Sequence, residues 1–527
     1  MPRPALSSAK TWSKSLTLTP IFLMLILIAR GVTLEHGDLV DPTETRYATI
    51  AQNMFLTGDW LTPRLPNDNQ LEPFLGKPPL HFWLTALSYR LFGVDEWTSR
   101  LPSFVGLMLI AGALIVFSNN VLNKKIGYTS AIICATSPLM FFLAGSSTID
   151  VTFTAFITAA LVSFAYSAKK HETGGNSIPS GLAFFFFCAL AFLTKGPAAF
   201  VIVGLPIFAL CLLDRSLSGL SHLPWKSGLA LCALFVVPWF YLLEQSNPGA
   251  IKYFFVNENF LRFLVKDYGD RYGHGHVRMY GSIWWMIVLG IFPWSFFLLR
   301  YLGYEWRKIR KLKLTEFDRW VVFALAWGLS PLVFFTFARS VLPAYALPAI
   351  PGLAIAMGYL IHSSSLSKST TEASSRYLGK LLSFNYYPSP ERVAFGATAL
   401  MMCVVLFITP LIESDLSASE VLEAIADNAS ESEPIVGTLS RRSYSLYWTS
   451  GAYENELSKP LQIVFASQND LSKAKYKHLV VRSDKIDKFP KGSFRHYEQL
   501  ASRGKWQWYS RIADGPGRSP ARANSGD

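Results

Sequence analysis

The chain has 527 residues, of which 51% are hydrophobic and only 16% charged, and its mean hydropathy is +0.27. Soluble domains carry about 25% charged residues, so a cytosolic enzyme of ordinary composition is excluded, and 14% aromatic content excludes a solvated, disordered chain. The formal charge of +13 calls for an anionic partner such as phosphate, anionic lipid or nucleic acid.

Hydropathy selects the membrane. Apolar stretches of roughly 17–25 residues, long enough to cross a bilayer core of about 30 Å, occur at 16–34, 98–118, 126–144, 149–168, 178–194 and 197–213. Others follow at 226–243, 281–300, 318–337, 341–361 and 392–411, eleven in total, which places the termini on opposite sides. Arg3, Lys10 and Lys14 precede the first stretch, and Lys124/Lys125, Lys169/Lys170 and Arg215/Lys226 fall in alternate loops. The same side carries Arg300, Arg307, Lys308, Arg310, Lys311, Lys313 and Arg319, so it is cytoplasmic by the positive-inside rule. The expected N-terminus is cytoplasmic and the C-terminus periplasmic. The first stretch continues as Ala-Arg-Gly-Val-Thr-Leu-Glu without a small-residue cleavage site, so it is expected to stay as a span rather than be removed as a signal peptide. Much of the basic excess is thereby accounted for by cytoplasmic loops, which argues against nucleic acid.

Outside the spans, 43–57 and 79–92 read as amphipathic helices lying in the external interface, and 244–280 as a second long external loop. From 413 the composition turns soluble: apolar runs at 435–439, 461–465 and 478–482 alternate with helical stretches around 415–428 and 468–475, the pattern of a small α/β domain. The expected division is a membrane domain over 1–412, a periplasmic α/β domain over 413–512 and a disordered tail over 513–527. Cys134, Cys188, Cys211, Cys232 and Cys403 all fall within spans, where a thiol acts as a small apolar residue.

A set of ionisable residues converges on the external side: Asp41, Glu44, Arg46, Lys77, Asp150, Lys195, Arg262 and Arg339. Singly, such residues near helix ends are snorkelling anchors; together they mix carboxylates and cations as a phosphate-bearing substrate requires. Cations hold a lipid phosphate as its charge grows, and a carboxylate accepts a proton from an acceptor hydroxyl or orients an anionic acceptor. His274 and His276, at i and i+2 with no clear third ligand, are weak evidence for a metal against a polar headgroup-facing loop. Arg441 and Arg442 read as solvated.

The segments DPTETRYATIAQNMFLTGDWLTPRL (41–65) and GKPPLHFWLTALSYRLFGVDEWTSRLPS (76–103) resemble the ArnT-like, PMT-related lipid-carrier glycosyltransferases. STIDVTF (147–153), FLTKGP (192–197), LRF (261–263), FPWS (292–295) and RSVLPAYALP (339–348) continue the resemblance in the same order over roughly 16–360. That family transfers 4-amino-4-deoxy-L-arabinose and related sugars from undecaprenyl phosphate to lipid A. The resemblance implies a polytopic α-helical membrane protein of the GT-C type, with periplasmic amphipathic helices and a small α/β C-terminal domain. It implies that Lys77 and Arg262 bind the carrier phosphate, that Arg46 and Tyr47 line the same cavity, and that Lys195 and Tyr345 line the donor pocket. Asp150 matches the family's acidic residue at the start of a span.

The departures are as informative. The family's Asp-Glu pair in the first loop is here Thr43-Glu44, with Asp41 two residues earlier as a possible substitute, so the expected acidic candidates are Glu44, Asp150 and Asp41. The Glu usual before the KPP lysine is Gly76, and the His usual three residues before the loop arginine is Asn259. In aminoarabinose transferases those two resemble a metal-binding pair, and with both missing no zinc and no cofactor is expected. The expected partners are a polyprenyl-phosphate sugar donor, lipid A or another glycan acceptor, and membrane lipids. A protein O-glycosyltransferase of the same fold is the nearest alternative. A non-enzymatic lipid-linked-sugar flippase is the other class, disfavoured because the charges gather on one face and no paired helical halves are evident.

Overall fold

The structure, a computed structural model, describes residues 7–67, 70–265, 269–270, 272–274, 276–299, 319–367, 390–430, 434–439, 443–452, 460–490 and 492–512. It divides into two compact units: 1–36, 50–64 and 73–409 form the first, and 37–49, 65–72 and 410–527 the second.

The first unit is a helical bundle. In chain order its leading helices are α1 (Ser7–Gly31), α2 (Thr43–Thr57, begun within the second unit), α3 (Leu80–Phe92), α4 (Glu96–Val121), α5 (Lys124–Ala135), α6 (Pro138–Leu143), α7 (Ile149–Glu172), α8 (Ile178–Lys195), α9 (Ala198–Asp214) and α10 (Trp225–Ser246). Helices Ser282–Gly290, Arg319–Thr336, Ala349–Ser367 and Pro390–Cys403 follow. Among the described residues six helices are long and apolar enough to cross a membrane: 96–121, 149–172, 178–195, 225–246, 319–336 and 390–412. Three shorter apolar helices, Thr19–Gly31, Ala198–Asp214 and Ala349–His362, match further expected spans. The protein is a multi-pass membrane protein. The remaining expected spans are interrupted. The 126–144 stretch breaks between α5 and α6, where Pro138 opens a new helix, and the 281–300 stretch stops at Gly290, just ahead of Pro293. Proline lacks the N–H an uninterrupted helix needs. The basic loop residues Arg300 to Lys313 lie outside the described residues, as do Arg441, Arg442 and the tail 513–527.

Helix α7 is the centre of the bundle, between α4 and α8, with 78% of its spanning window buried, against 22% for α10. In lipid, helices gain little from hydrophobic burial and associate by close packing of small residues. Gly352 illustrates this: a Cβ there would lie 2.6 Å from both Ala324 O and Gly328 N, so helices 319–336 and 349–367 touch backbone to backbone. Gly228 of α10 instead makes room for a side chain: a Cβ there would lie 2.0 Å from the Phe185 ring of α8. Two buried arginines close the bundle at one end. Arg30 donates from Nε to Phe141 O (2.8 Å), and Arg100 donates to Leu34 O (2.9 Å) and His36 O (3.2 Å). Each satisfies carbonyls that a loop in this setting would otherwise leave unpaired.

The second unit is a small α/β fold. After the hairpin β1 (Arg64–Asn67) and β2 (Gln70–Pro73), and the short pair β3 (Gly269–Asp270) and β4 (Gly273–His274) of the first unit, its sheet comprises β5 (Ile435–Thr438), β6 (Gln462–Phe465), β7 (His478–Arg482), β8 (Tyr497–Arg503) and β9 (Trp506–Arg511). The order is β6-β5-β7-β9-β8, parallel over its first three strands and antiparallel for β7-β9 and β9-β8. The three parallel strands coincide with the apolar runs of the sequence. Strands β8 and β9 were not anticipated, because most of β8 faces solvent and lacks an apolar run. Helix Ser419–Asn428 lays Val421, Leu422, Ile425 and Ala426 on the sheet residues Val436, Val480, Trp506 and Trp508. Asp41 and Asp38 of the 37–49 segment bond to Ser445 and Ser419, which makes that segment part of this unit.

Candidate active site

Two clusters of buried charge lie in the first unit. The first forms around Glu258. Helix α10 ends at Ser246, Gly249 turns the chain in a left-handed conformation, and the Glu244 carboxylate accepts from Gly249 N (2.7 Å) and Ile251 N (2.8 Å), restarting a helix at Ala250. That helix widens into a π-helical stretch at Tyr253–Leu261, a distortion common at functional sites. Glu258 sits in it with its side chain only 3% exposed. Its carboxylate receives Lys77 Nζ, and Arg262 donates to both of its oxygens at 2.9 Å. Lys77 also donates to Gly76 O (2.8 Å). The two residues expected to hold the carrier phosphate are therefore side by side on one carboxylate.

The second cluster joins the start of α7 to the end of α8. Lys195 Nζ donates to Asp150 Oδ1 at 2.5 Å, with both side chains about nine-tenths buried. The ammonium also lies 4.3 Å from the centroid of Tyr345 and 5.3 Å from that of Phe153, so two aromatic faces and a carboxylate share it. Gly196 ends α8 at φ +97°, a conformation that favours glycine, and a Cβ there would come within 2.6 Å of Phe254 Cζ.

Three contacts tie the clusters together. His81 Nδ1, four residues after Lys77, lies 3.0 Å from Thr152 Oγ1, two residues after Asp150. Arg339 N donates to Phe263 O (2.9 Å), so the loop that carries Tyr345 to Lys195 also touches the segment of Arg262. Gly196 meets Phe254, one turn before Glu258. His81 is fully buried, which pushes its pKa down to about 4 with Asp150 opposing the shift, so the imidazole is neutral at physiological pH. Arg339 stacks its guanidinium 4.0 Å from the Tyr280 ring.

Asp41, Glu44, Arg46 and Tyr47 belong to the second unit. Asp41 is engaged there: it accepts from Thr45 Oγ1 (2.5 Å), Ser445 N (3.0 Å) and Ser445 Oγ (2.8 Å). Burial raises its pKa above the ordinary carboxylate value, against these hydrogen bonds and the charge of Arg482. Glu44 caps the start of α2 by accepting from Val40 N (3.2 Å), and Arg46 lies 5.1 Å from the Tyr47 ring.

The fold of the chain is matched among solved structures. The aminoarabinose transferase ArnT of Cupriavidus metallidurans, crystallised with undecaprenyl phosphate, superposes with a TM-score of 0.72 over 95% of this chain and 99% of that one, at 19% identity. The chain has the GT-C fold of that structure. The apo oligosaccharyltransferase of Archaeoglobus fulgidus shares that fold more distantly, with a TM-score of 0.51 at 12% identity over 89% of this chain and 70% of the other. The family model described as dolichyl-phosphate-mannose-protein mannosyltransferase matches residues 76–242. Among curated relatives, the undecaprenyl phosphate-alpha-4-amino-4-deoxy-L-arabinose arabinosyl transferase of Shewanella sediminis is 28% identical over 341 residues, 63% of this chain and 57% of its own length. The protein of the same name from Pseudomonas aeruginosa strain UCBPP-PA14 is 28% identical over 367 residues, 68% of this chain and 60% of its own. The chain thus spans less than two thirds of the length of these relatives.

Sequence reasoning singled out Lys77, Arg262, Asp150, Lys195 and Tyr345 but passed over Glu258 and His81. Glu258 was legible as an anion four residues before Arg262, between Asn257 and Asn259 in a largely aromatic run, the spacing at which a helix pairs charges. At position 76 the space a side chain would enter is bounded by Phe74 and Tyr272, whose ring atoms lie 3.1 and 3.4 Å from a Cβ built there. Among the described residues no group of three or more His, Cys, Asp and Glu gathers as a metal site. His276 is exposed and uses its backbone to bond Ser340 Oγ and Val341 N, while the His274 side chain lies outside the described residues.

Proposed function

We propose that this protein transfers a sugar, aminoarabinose or a related one, from an undecaprenyl-phosphate carrier to lipid A or another envelope acceptor, with inversion at the anomeric carbon. The reading places it in the bacterial inner membrane, with the N-terminus cytoplasmic and the C-terminal domain periplasmic. The observation that carries it is the convergence of Lys77 and Arg262 on one buried carboxylate. It is supported by the named activity of the sequence relatives and by the fold of a protein crystallised with undecaprenyl phosphate.

In this reaction the acceptor oxygen attacks the anomeric carbon as the bond from that carbon to the carrier phosphate oxygen breaks. The electron pair stays on the phosphate, whose growing charge Lys77 and Arg262 neutralise. Asp150, oriented by Lys195, is the carboxylate best placed within the first unit to orient the acceptor or take its proton. Glu44 is the alternative base, whereas the hydrogen bonds of Asp41 to Ser445 give it a structural task. Lys195, Tyr345 and Arg339 line the donor and acceptor side, and the family resemblance adds Arg46 and Tyr47. No cofactor enters this scheme.

Mass spectrometry of lipid A and carrier lipids from cells with and without the gene tests the proposal. Loss of a glycosyl mass on lipid A with accumulation of the donor is expected. Lys77→Ala should lower transfer by about 10²–10³-fold, the usual effect of removing one charge-stabilising donor. A folded Lys77→Ala protein with full activity would refute the phosphate assignment. Donor accumulation with unchanged lipid A would instead point to a protein acceptor, the reading that the matching mannosyltransferase family model favours.

A further inference from the structure

We propose that Glu258 is a positioning residue that sets the charge of the phosphate site, binding Lys77 and Arg262 into a single unit that holds the donor's phosphodiester and limits the site's hold on the phosphate monoester left behind. The inference rests on the reading of Lys77 and Arg262 as phosphate ligands.

The argument starts from formal charge. One lysine and one arginine on one carboxylate carry a net charge of +1 between them. A sugar linked through a phosphodiester has one negative charge, equal and opposite to the sum of these three residues. When the anomeric C–O bond breaks, the electron pair remains with the phosphate. The carrier becomes a monoester with about −1.5 to −2 charges near pH 7. A positive unit attracts that product more strongly than the donor, the more so the larger its charge, yet the product must leave before the next donor enters.

Burial makes the carboxylate's contribution strong. The Glu258 side chain is 3% exposed, Lys77 is 17% and Arg262 is 24% exposed, so the cations reach outward while their shared anion does not. Water screens a pair in such a position poorly. The geometry also fixes direction. Arg262 bonds both Glu258 oxygens at 2.9 Å through one nitrogen, Nη1, while Lys77 donates to one of them. The π-helical stretch is what turns Glu258 toward Lys77, which arrives from a different part of the chain, 181 residues away. A Gln would keep the shape and remove the charge.

The test is a binding experiment on purified full-length protein in nanodiscs, with a short-chain polyprenyl phosphate and its methyl phosphodiester as probes. Neither probe carries a sugar, so the unknown donor does not enter. Wild-type protein is expected to bind both. In Glu258→Gln, the monoester should bind about tenfold tighter and the diester about threefold tighter, because Coulomb attraction scales with ligand charge. Turnover should fall through tighter product inhibition while donor KM falls rather than rises. A Glu258 that merely supports the fold would instead weaken both ligands alike. A folded Glu258→Gln protein with an unchanged monoester-to-diester ratio would overturn the inference. Should that variant fail to fold, Glu258→Asp carries the test: with the charge kept, the ratio must stay within about twofold of wild type even as both affinities drop, and a larger shift overturns it. Wild-type protein that binds neither probe would instead refute the phosphate assignment.

Discussion

Removing either partner of the Asp150–Lys195 pair should destabilise the bundle far more than removing both. Lys195→Met leaves a carboxylate about nine-tenths buried without its one strong cationic partner and also takes the ammonium from the Tyr345 and Phe153 faces. Breaking a buried pair on one side costs about 3–5 kcal/mol, and the cation–aromatic contacts add roughly 1 kcal/mol. Asp150→Asn removes the anion and leaves Lys195 with only those aromatic faces, a loss of the same order. The double variant, Asp150→Asn with Lys195→Met, leaves no unpaired charge, and its loss should be smaller than the sum of the single losses by about 2 kcal/mol or more. Reversible unfolding in mixed detergent micelles, followed by tryptophan fluorescence over titrated SDS, gives the four free energies of the cycle. Additive losses would refute the structural coupling. The double variant should remain inactive in sugar transfer, because stability is recovered but the carboxylate is not.

The second unit offers a pH test. Burial raises the pKa of Asp41 above its unfolded value near 3.8, so between that value and the raised one the folded chain holds more protons than the unfolded chain, and stability falls as pH rises through that window. Hydrogen exchange of the 435–438 and 478–482 strands in the intact protein should therefore slow, after correction for intrinsic rates, as pH is lowered through that window. Asp41→Asn should flatten the dependence; an equally steep profile in that variant would contradict the assignment. In the bundle, Gly145→Ala should destabilise by roughly 1–3 kcal/mol, the range for overpacking. Its Cβ would fall 1.2 Å from Arg30 Nη2, and the bond from Arg30 Nε to Phe141 O limits how far that side chain can withdraw. A dye-free thermal shift in detergent measures this, with Gly112→Ala, where a Cβ meets nothing, as the neutral control.

Much of the architecture is a consequence of local chemistry. Apolar length alone marks α4, α7, α8 and α10 as spans, because an unbroken helix is the way a lone segment satisfies its backbone in lipid. Pro138 and Pro293 likewise show, in hindsight, why two apolar stretches of spanning length are not continuous helices: composition registers hydrophobicity, but a missing N–H decides continuity. In the second unit, β5 and β7 were legible because buried strands are apolar on both faces, and β6, at the sheet edge, because it too is a short apolar run. The half-exposed β8 carries mostly polar residues and was not.

The site divides along the same line. By itself the sequence determined a membrane protein and the order of its cations and carboxylates along the chain, since hydropathy and the order of charges are properties of the chain. It could not say which charge meets which. Asp150 and Lys195 are 45 residues apart and Lys77 and Glu258 are 181 apart, and only the packing of α7 on α8 and the π-helical turn before Arg262 bring them into contact. Glu258 was overlooked although its spacing to Arg262 is local, because its contact with Lys77 is not. A buried carboxylate acquires its meaning from partners supplied by distant segments, and those pairings are set by tertiary packing rather than by any local pattern.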